Sequence, residues 1–280
     1  MDLDLKGVHV LVTGGNSGIG CETTRIFLEQ GATVTATYRS SSSRLLALRP
    51  KYDETRLCIV HADLTSEAAV TALFADSPTP IEIVVINHAV YAGYGPLKDM
   101  SAERWRTTLD SNLTSSFLVC RAFLRGLQAG IAAAGSEKKE RGFGERAAIV
   151  FIGSTSGKFG EACGADYAAC KSALMYGLTL SLKNEIVAIA PRGRVNCIAP
   201  GWVDTPAVAK VIGVPQFTYP SLATTPLKKV AQPADVAQQV VLLASAKVSG
   251  HVTGQVVMVD GGMEGRVQSR PGDLGFPPDV

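Results

Sequence analysis

Tyr167 and Lys171 lie four residues apart in Tyr-Ala-Ala-Cys-Lys, near the start of a helix-compatible run from Gly164 to Ala190. On a helix that spacing puts the phenol and the ammonium on one face, one turn apart. An unperturbed phenol titrates near pH ~10, too high for efficient proton transfer at neutral pH. A cation one turn away favours the phenolate and brings that value down. The pair therefore has the ingredients of a general acid/base. Tyrosine and lysine also fall four apart on many helices as solvated or packing neighbours, so the rest of the chain has to decide.

The elements that would position this pair alternate regularly. Val8–Thr13, Thr33–Tyr38, Leu57–His61, Ile81–Ile86, Ala147–Ile152, Arg194–Ile198 and Gln255–Val259 are short apolar runs that read as strands. Between them, 21–30, 66–76, 101–134, 164–190 and 234–246 read as helices. Continuous rather than alternating apolar strands, separated by helices, predict a doubly wound α/β fold with one parallel sheet covered on both faces. Neither an internal repeat nor a linker between two cores is visible. The expectation is a single domain over 1–263 with a tail at 264–280. Residues 135–145 form a charged, glycine-containing insert. The stretch 200–233, rich in proline, reads as irregular, with a short helix near Ala207, and its 203–226 part as a substrate loop or lid.

Composition narrows the function. The 280 residues carry 27 basic and 25 acidic side chains, a net charge of +2, with no basic block of the kind nucleic acid requires. No run of 18 apolar residues suggests a membrane span, and Asp2, Asp4 and Lys6 are wrong for a signal peptide. Six cysteines without Cys-x-x-Cys spacing read as reduced thiols of a cytoplasmic protein, and four scattered histidines offer no metal site.

Glycines 14, 18 and 20 fall where the first strand hands over to a helix. There a glycine turn lets backbone approach a pyrophosphate while the helix N-terminus presents N–H groups to it. The spacing is Gly-x-x-x-Gly-x-Gly, and Asn16, Ser17 and Ile19 belong to the same turn. At the end of the second strand, where an acid favours NAD, this chain has Tyr38-Arg39-Ser40. A guanidinium and a hydroxyl suit the 2′-phosphate of NADP, so NADP(H) is expected over NAD(H).

With these motifs in order, the chain resembles the short-chain dehydrogenase/reductase family, in its compact single-domain, Rossmann-like branch, over about Leu5 to Gly262. Thr13-Gly14-x-x-x-Gly18-x-Gly20 resembles the family's cofactor turn, and Asp63-Leu64 sits where the family holds adenine. Asn112 matches the asparagine of the catalytic tetrad. Ser154, thirteen residues before Tyr167, matches its serine. Pro200-Gly201 with Val203 and Thr205 resembles the segment that closes over nicotinamide. The resemblance implies that Tyr167 exchanges a proton with the substrate oxygen and that Ser154 holds that oxygen. It implies that Lys171 lowers the phenol's pKa and binds the nicotinamide ribose, and that Asn112 interrupts its helix and holds a water leading to Lys171. Asn87 and Ala89 join the cofactor set. The family's Asn-Asn-Ala-Gly is here Asn87-His88-Ala89-Val90, with His88 read as structural and Val90 as reshaping the cleft.

Loops due at the strands' C-terminal ends carry Tyr91, Tyr94, Thr155, Phe159, Trp202 and Phe217, the expected substrate contacts. Aromatic walls suit a flat or apolar carbonyl compound, aromatic or polyketide-like, such as those of secondary metabolism. The expected activity is NADPH-dependent reduction of a ketone to an alcohol, or its reverse. A lyase or isomerase using the same tyrosine, and an NADP-sensing regulator, stay open as alternatives. The resemblance also implies a homodimer or homotetramer formed through the helices bearing Asn112 and Tyr167.

Overall fold

Strands without a polar face must be covered on both sides, and the chain meets that demand with one sheet between two helical layers. The computed structural model describes residues 2–134, 142–206, 208–209, 212, 214–264 and 269–277, without the side chains of 216 and 217. Strands β1 (His9–Val12), β2 (Thr33–Tyr38), β3 (Leu57–His61), β4 (Ile83–Ile86), β5 (Ala148–Ile152), β6 (Arg194–Pro200) and β7 (Val256–Val259) run parallel in the order β3-β2-β1-β4-β5-β6-β7. Strands β1, β4, β5 and β6 are buried throughout.

The helices are α1 (Gly18–Glu29), α2 (Ser43–Leu46), α3 (Glu67–Ala75), α4 (Ala102–Leu109), α5 (Ser115–Ala134), α6 (Thr155–Phe159), α7 (Ala165–Ser172), α8 (Thr179–Ile189), α9 (Pro215–Ala223), α10 (Pro233–Ala244) and α11 (Ala246–Ser249). On one face α1 and α10 pack together over a core that includes Phe27, Val150 and Val240. On the other, α5 packs with α3 and α8 over Phe123, Leu127, Phe151 and Met175. The helical stretch Ala102–Ala134 is long and apolar enough to cross a bilayer by length and composition. Here its α5 portion covers the sheet.

Two helices that read as unbroken from periodicity contain π turns, Asp110–Thr114 and Ala173–Leu178. The first holds Asn112, where the family resemblance implies an interruption. A π turn loosens the carbonyl ladder, and nearby hydroxyls take up the slack. Ser115 and Ser116 donate to the carbonyls of Ser111 and Asn112 at 2.9 and 2.6 Å, and Thr179 donates to that of Leu174 at 2.7 Å.

The proline-rich stretch differs from expectation. Pro215–Ala223 is a helix despite Pro220 inside it. Proline at the first helical position costs nothing, and tertiary contacts hold the remainder. Tyr219 meets Phe276 edge to face at 5.9 Å, and the amide of Ser269 donates to the carbonyl of Ala223. Residues 269–277 of the tail therefore lie against α9 of their own chain. The short helix expected near Ala207, the core of the insert (135–141) and tail residues 265–268 and 278–280 lie outside the described residues.

Candidate active site

A sheet of this order leaves a crevice beyond the strands' C-terminal ends where the winding reverses, here between β1 and β4. The crevice is a cleft of about 850 Å³. At one end lies the glycine turn. Gly14 has φ +61°, a left-handed backbone conformation, and a Cβ there would approach His88 Cα to 2.9 Å. A Cβ on Gly18 would come within 2.7 Å of the Thr205 methyl. Removing either bare edge would fill the floor on which a pyrophosphate would lie. Ser17 caps α1 by accepting from the Gly20 amide at 3.0 Å. Asn87 ties the turn down, donating to the carbonyls of Thr13 and Gly14 at 2.9 Å each.

The carboxamide oxygen of Asn16 accepts from the amides of Arg44 and Leu45 at 2.9 and 3.2 Å, anchoring α2. This brings Arg44 into the cleft wall beside Arg39. His61 supports that corner, its ring nitrogen bonded to the Arg39 carbonyl at 2.9 Å and its ring packed edge-on against Tyr38. Asp63 accepts from the amide and hydroxyl of Thr65 at 3.0 and 2.8 Å, and these bonds hold its carboxyl below the ordinary range. Two guanidiniums and a bare glycine turn form a donor set that fits a phosphorylated dinucleotide.

At the other end Ser154, Tyr167 and Lys171 converge on the cleft. Ser154 lies two residues past β5 and caps α6, accepting from the Ser156 amide at 3.1 Å. Its hydroxyl donates to that of Ser156 at 3.1 Å, and Ser156 donates to Glu161 at 2.5 Å. Tyr167 opens α7, which is locked to α4 through the residue before it. The buried carboxylate of Asp166 accepts from Arg104 at 3.0 and 3.3 Å and from Thr108 at 2.9 Å. Burial alone would raise Asp166, but these donors outweigh it and hold the carboxyl below its ordinary value.

Lys171 is 2 % exposed and donates to the Ile152 carbonyl at 2.6 Å. Burial brings its ammonium down to about 8. The expectation that Lys171 draws the phenol of Tyr167 down is not met. Burial raises the phenol, the Glu161 carboxylate raises it further, and only the Ser154 hydroxyl pulls it back. Desolvation of the phenol is the dominant cause.

All the expected cofactor contacts line this cleft except Gly20. A Cβ on Gly20 would collide with the Gly14 carbonyl, so this glycine closes the turn on itself. Of the expected catalytic set, Asn112 does not line the cleft. Its buried amide grips the backbone of Val90, accepting from the Val90 amide at 2.8 Å and donating to its carbonyl at 3.0 Å. Tyr91, Tyr94, Thr155 and Trp202 line the substrate side. Phe159 does not, and it lies exposed under Lys158. The side chain of Phe217 lies outside the described residues.

His88 bridges Thr13 and Ser115 at 2.8 Å on each ring nitrogen, and burial holds it neutral, down to about 3. It does the bridging work expected of an amide. Sequence reasoning missed Arg44, Ser156 and Glu161. Arg44 follows the polar run 39–43 and was legible as a second cation near Arg39. Ser156 and Glu161 carry no motif, and only the turn after β5 brings them to the cleft.

The model of the family described as enoyl-(acyl carrier protein) reductase matches residues 14–264. The chain is similar to a 3-oxoacyl-[acyl-carrier-protein] reductase of Vibrio cholerae, 32 % identical over 263 residues, covering 93 % of this chain and 99 % of the relative. It is also 31 % identical over 257 residues to a cis-4-hydroxycyclohexanecarboxylate dehydrogenase of Sinomonas cyclohexanicum, covering 90 % and 94 %. Among solved structures, one titled short chain dehydrogenase/reductase family protein superposes with a TM-score of 0.77 at 30 % identity, covering 94 % of this chain and 98 % of that one. A short-chain dehydrogenase/reductase of Brucella melitensis gives 0.76 at 25 % identity, covering 95 % and 100 %.

Proposed function

The chain belongs to the short-chain dehydrogenase/reductase family of oxidoreductases, and from that premise we propose that it uses NADP(H) to reduce a ketone of a hydrophobic, aromatic or polyketide-like small molecule. The observation that carries this reading is the convergence of Ser154, Tyr167 and Lys171 on a cleft whose far end is the bare glycine turn. When bound, the dinucleotide supplies the hydride equivalent. Gly14 and Gly18 give the pyrophosphate its floor, and Arg39 and Arg44 supply the charge for a 2′-phosphate.

Tyr167 donates its proton to the carbonyl oxygen. A phenol held up by burial keeps that proton at neutral pH, which favours the reductive direction. Ser154 positions the same oxygen. Lys171 spends one N–H on Ile152, which leaves donors for the nicotinamide ribose and a positive charge beside the phenolate formed on proton transfer. Asn112 acts as a positioning residue through Val90, and the water link to Lys171 implied by the resemblance belongs to the same proposal. So do a cytoplasmic setting and a homodimeric or homotetrameric assembly.

The test is NADPH absorbance decay with a panel of aromatic and alicyclic ketones, beside Tyr167→Phe. The expected result is ketone-dependent decay that falls by at least about 10³-fold in the variant while NADPH binding persists. Full turnover by Tyr167→Phe would overturn the assignment. Equal use of NADH and NADPH, unchanged in Arg39→Ala, would overturn the choice of cofactor.

A further inference from the structure

The substrate side of the cleft holds an acid that the reductive chemistry does not use. Glu161 follows α6 by two residues, past Gly160 at φ +77°, and its side chain lines the cleft. Among the described residues its hydrogen-bond partners are the Ser156 hydroxyl at 2.5 Å and the Tyr94 hydroxyl, and it has no ion pair. Arg104, the guanidinium whose field reaches Tyr91, is committed to Asp166 and to the Gly93 carbonyl. A carboxylate facing aromatic walls without a counter-charge is a place for a cationic ligand to supply one.

Around this acid lies an open aromatic wall. Tyr91 and Tyr94 are 43 % and 53 % exposed and meet edge to face at 5.5 Å. Tyr91 meets Tyr167 in the same way at 5.3 Å, so the wall runs from the acid to the proposed proton donor. Trp202 lines the same cleft. The two loops are pinned together, because the Gly95 amide donates to the Cys163 carbonyl at 2.8 Å. The carboxylate's field raises the phenols of Tyr91, Tyr94 and Tyr167 alike. Aromatic faces around a single carboxylate are the recognition chemistry of an ammonium group.

We infer that Glu161, with Tyr91 and Tyr94, is the specificity determinant of this cleft and selects a ketone that carries a protonated amine. The inference rests on the proposed function only in taking this side of the cleft as the substrate side. Glu161 lies two hydrogen bonds from Ser154, so a small ring or short chain spans from amine to carbonyl. Substrates bearing a carboxylate or phosphate at that position are disfavoured by like charge.

The test uses three ring ketones of similar shape: protonated N-methylpiperidone, neutral tetrahydropyranone and anionic oxocyclohexane carboxylate. Each is titrated calorimetrically into the full chain with oxidised NADP present, so that binding is read without reductive turnover. The expected order is cation, neutral, anion, with at least about a tenfold gap between the first two. Glu161→Gln is expected to close that gap between cation and neutral ketone. Wild-type protein that binds cation and neutral ketone equally would overturn the inference without needing the variant. So would a preference that survives Glu161→Gln. NADPH consumption with the same three ketones is the separate test of the reductase reading. A Glu161-dependent preference without consumption would leave this site standing and sink the reductase, and the converse result would do the opposite.

Discussion

Lys171 and Arg194 are both cations buried to within 3 % of full enclosure, yet they do opposite work. Arg194 begins β6 at the end of the sheet away from the cleft. Its guanidinium donates to the carbonyls of Leu243 and Ala244 at 2.5 and 2.7 Å, where α10 ends, and to that of Ser249 at 3.4 Å. It is a C-terminal helix cap built from a side chain. Lys171 stands at the other end of the sheet, on the cleft wall, with one carbonyl for its three donors. Burial lowers both, to about 10 for Arg194 and about 8 for Lys171. A buried charge whose terminal nitrogens are both bonded to backbone, as in Arg194 with only its Nε left without a partner, holds the fold together. A buried charge with donors to spare, facing a cleft, is a cost of folding that a ligand can recover.

The largest effect that would sharpen this contrast is on turnover. Lys171→Met is expected to lower kcat/KM for ketone reduction by about 10³-fold while the thermal midpoint stays level or rises. A variant that loses stability and keeps activity would break the comparison. Arg194→Met is expected to behave the other way. It leaves the α10 carbonyls unpaired, which costs about 3 kcal/mol in urea unfolding, and kcat stays within about twofold.

The remaining effect is in pH dependence. The ammonium of Lys171 titrates lower folded, at about 8, than its ordinary 10.5, so between those values the unfolded chain binds more protons. The stabilising contribution of this group is therefore full above pH 10.5 and is lost as pH falls through 8. Wild type measured against Lys171→Met should gain on the order of 3 kcal/mol across that window. Taking the difference removes the opposing drift from Cys120, whose thiol burial pushes up. A flat difference would mean that Lys171 does not bear the burial cost assigned to it.

How much of this was legible in the sequence varies along the cleft. At the glycine end, residue type nearly dictates place. Gly14 and Gly18 have no side chain because backbone and Thr205 come too close, and the glycine motif therefore marks its own position. Gly20 shows the limit, since the same spacing cannot tell a glycine that clears a ligand from one that clears its own turn. Periodicity also missed the helix Pro215–Ala223, because Pro220 outweighs propensity until Ser269 and Phe276 pack against it.

At the proposed catalytic end the sequence named the groups but not their environment. A spacing of four puts Tyr167 and Lys171 on one helical face, but it says nothing of burial, and burial reversed the expected direction for the phenol. Asn112 was legible as a residue at a helix interruption, whereas its grip on Val90 required two distant segments to meet. Glu161 belongs to no motif at all.

By itself, then, the sequence determined the alternation of buried strands and helices, the glycine turn and the placing of the proposed acid/base pair on one helical face, because each depends on residue type and local spacing. Tertiary structure alone decided the charge balance of the site: which buried cation caps a helix and which faces the cleft, and where a carboxylate without an ion pair among the described residues lines it. Electrostatic energies depend on distance and desolvation in three dimensions, and neither is written in spacing along the chain.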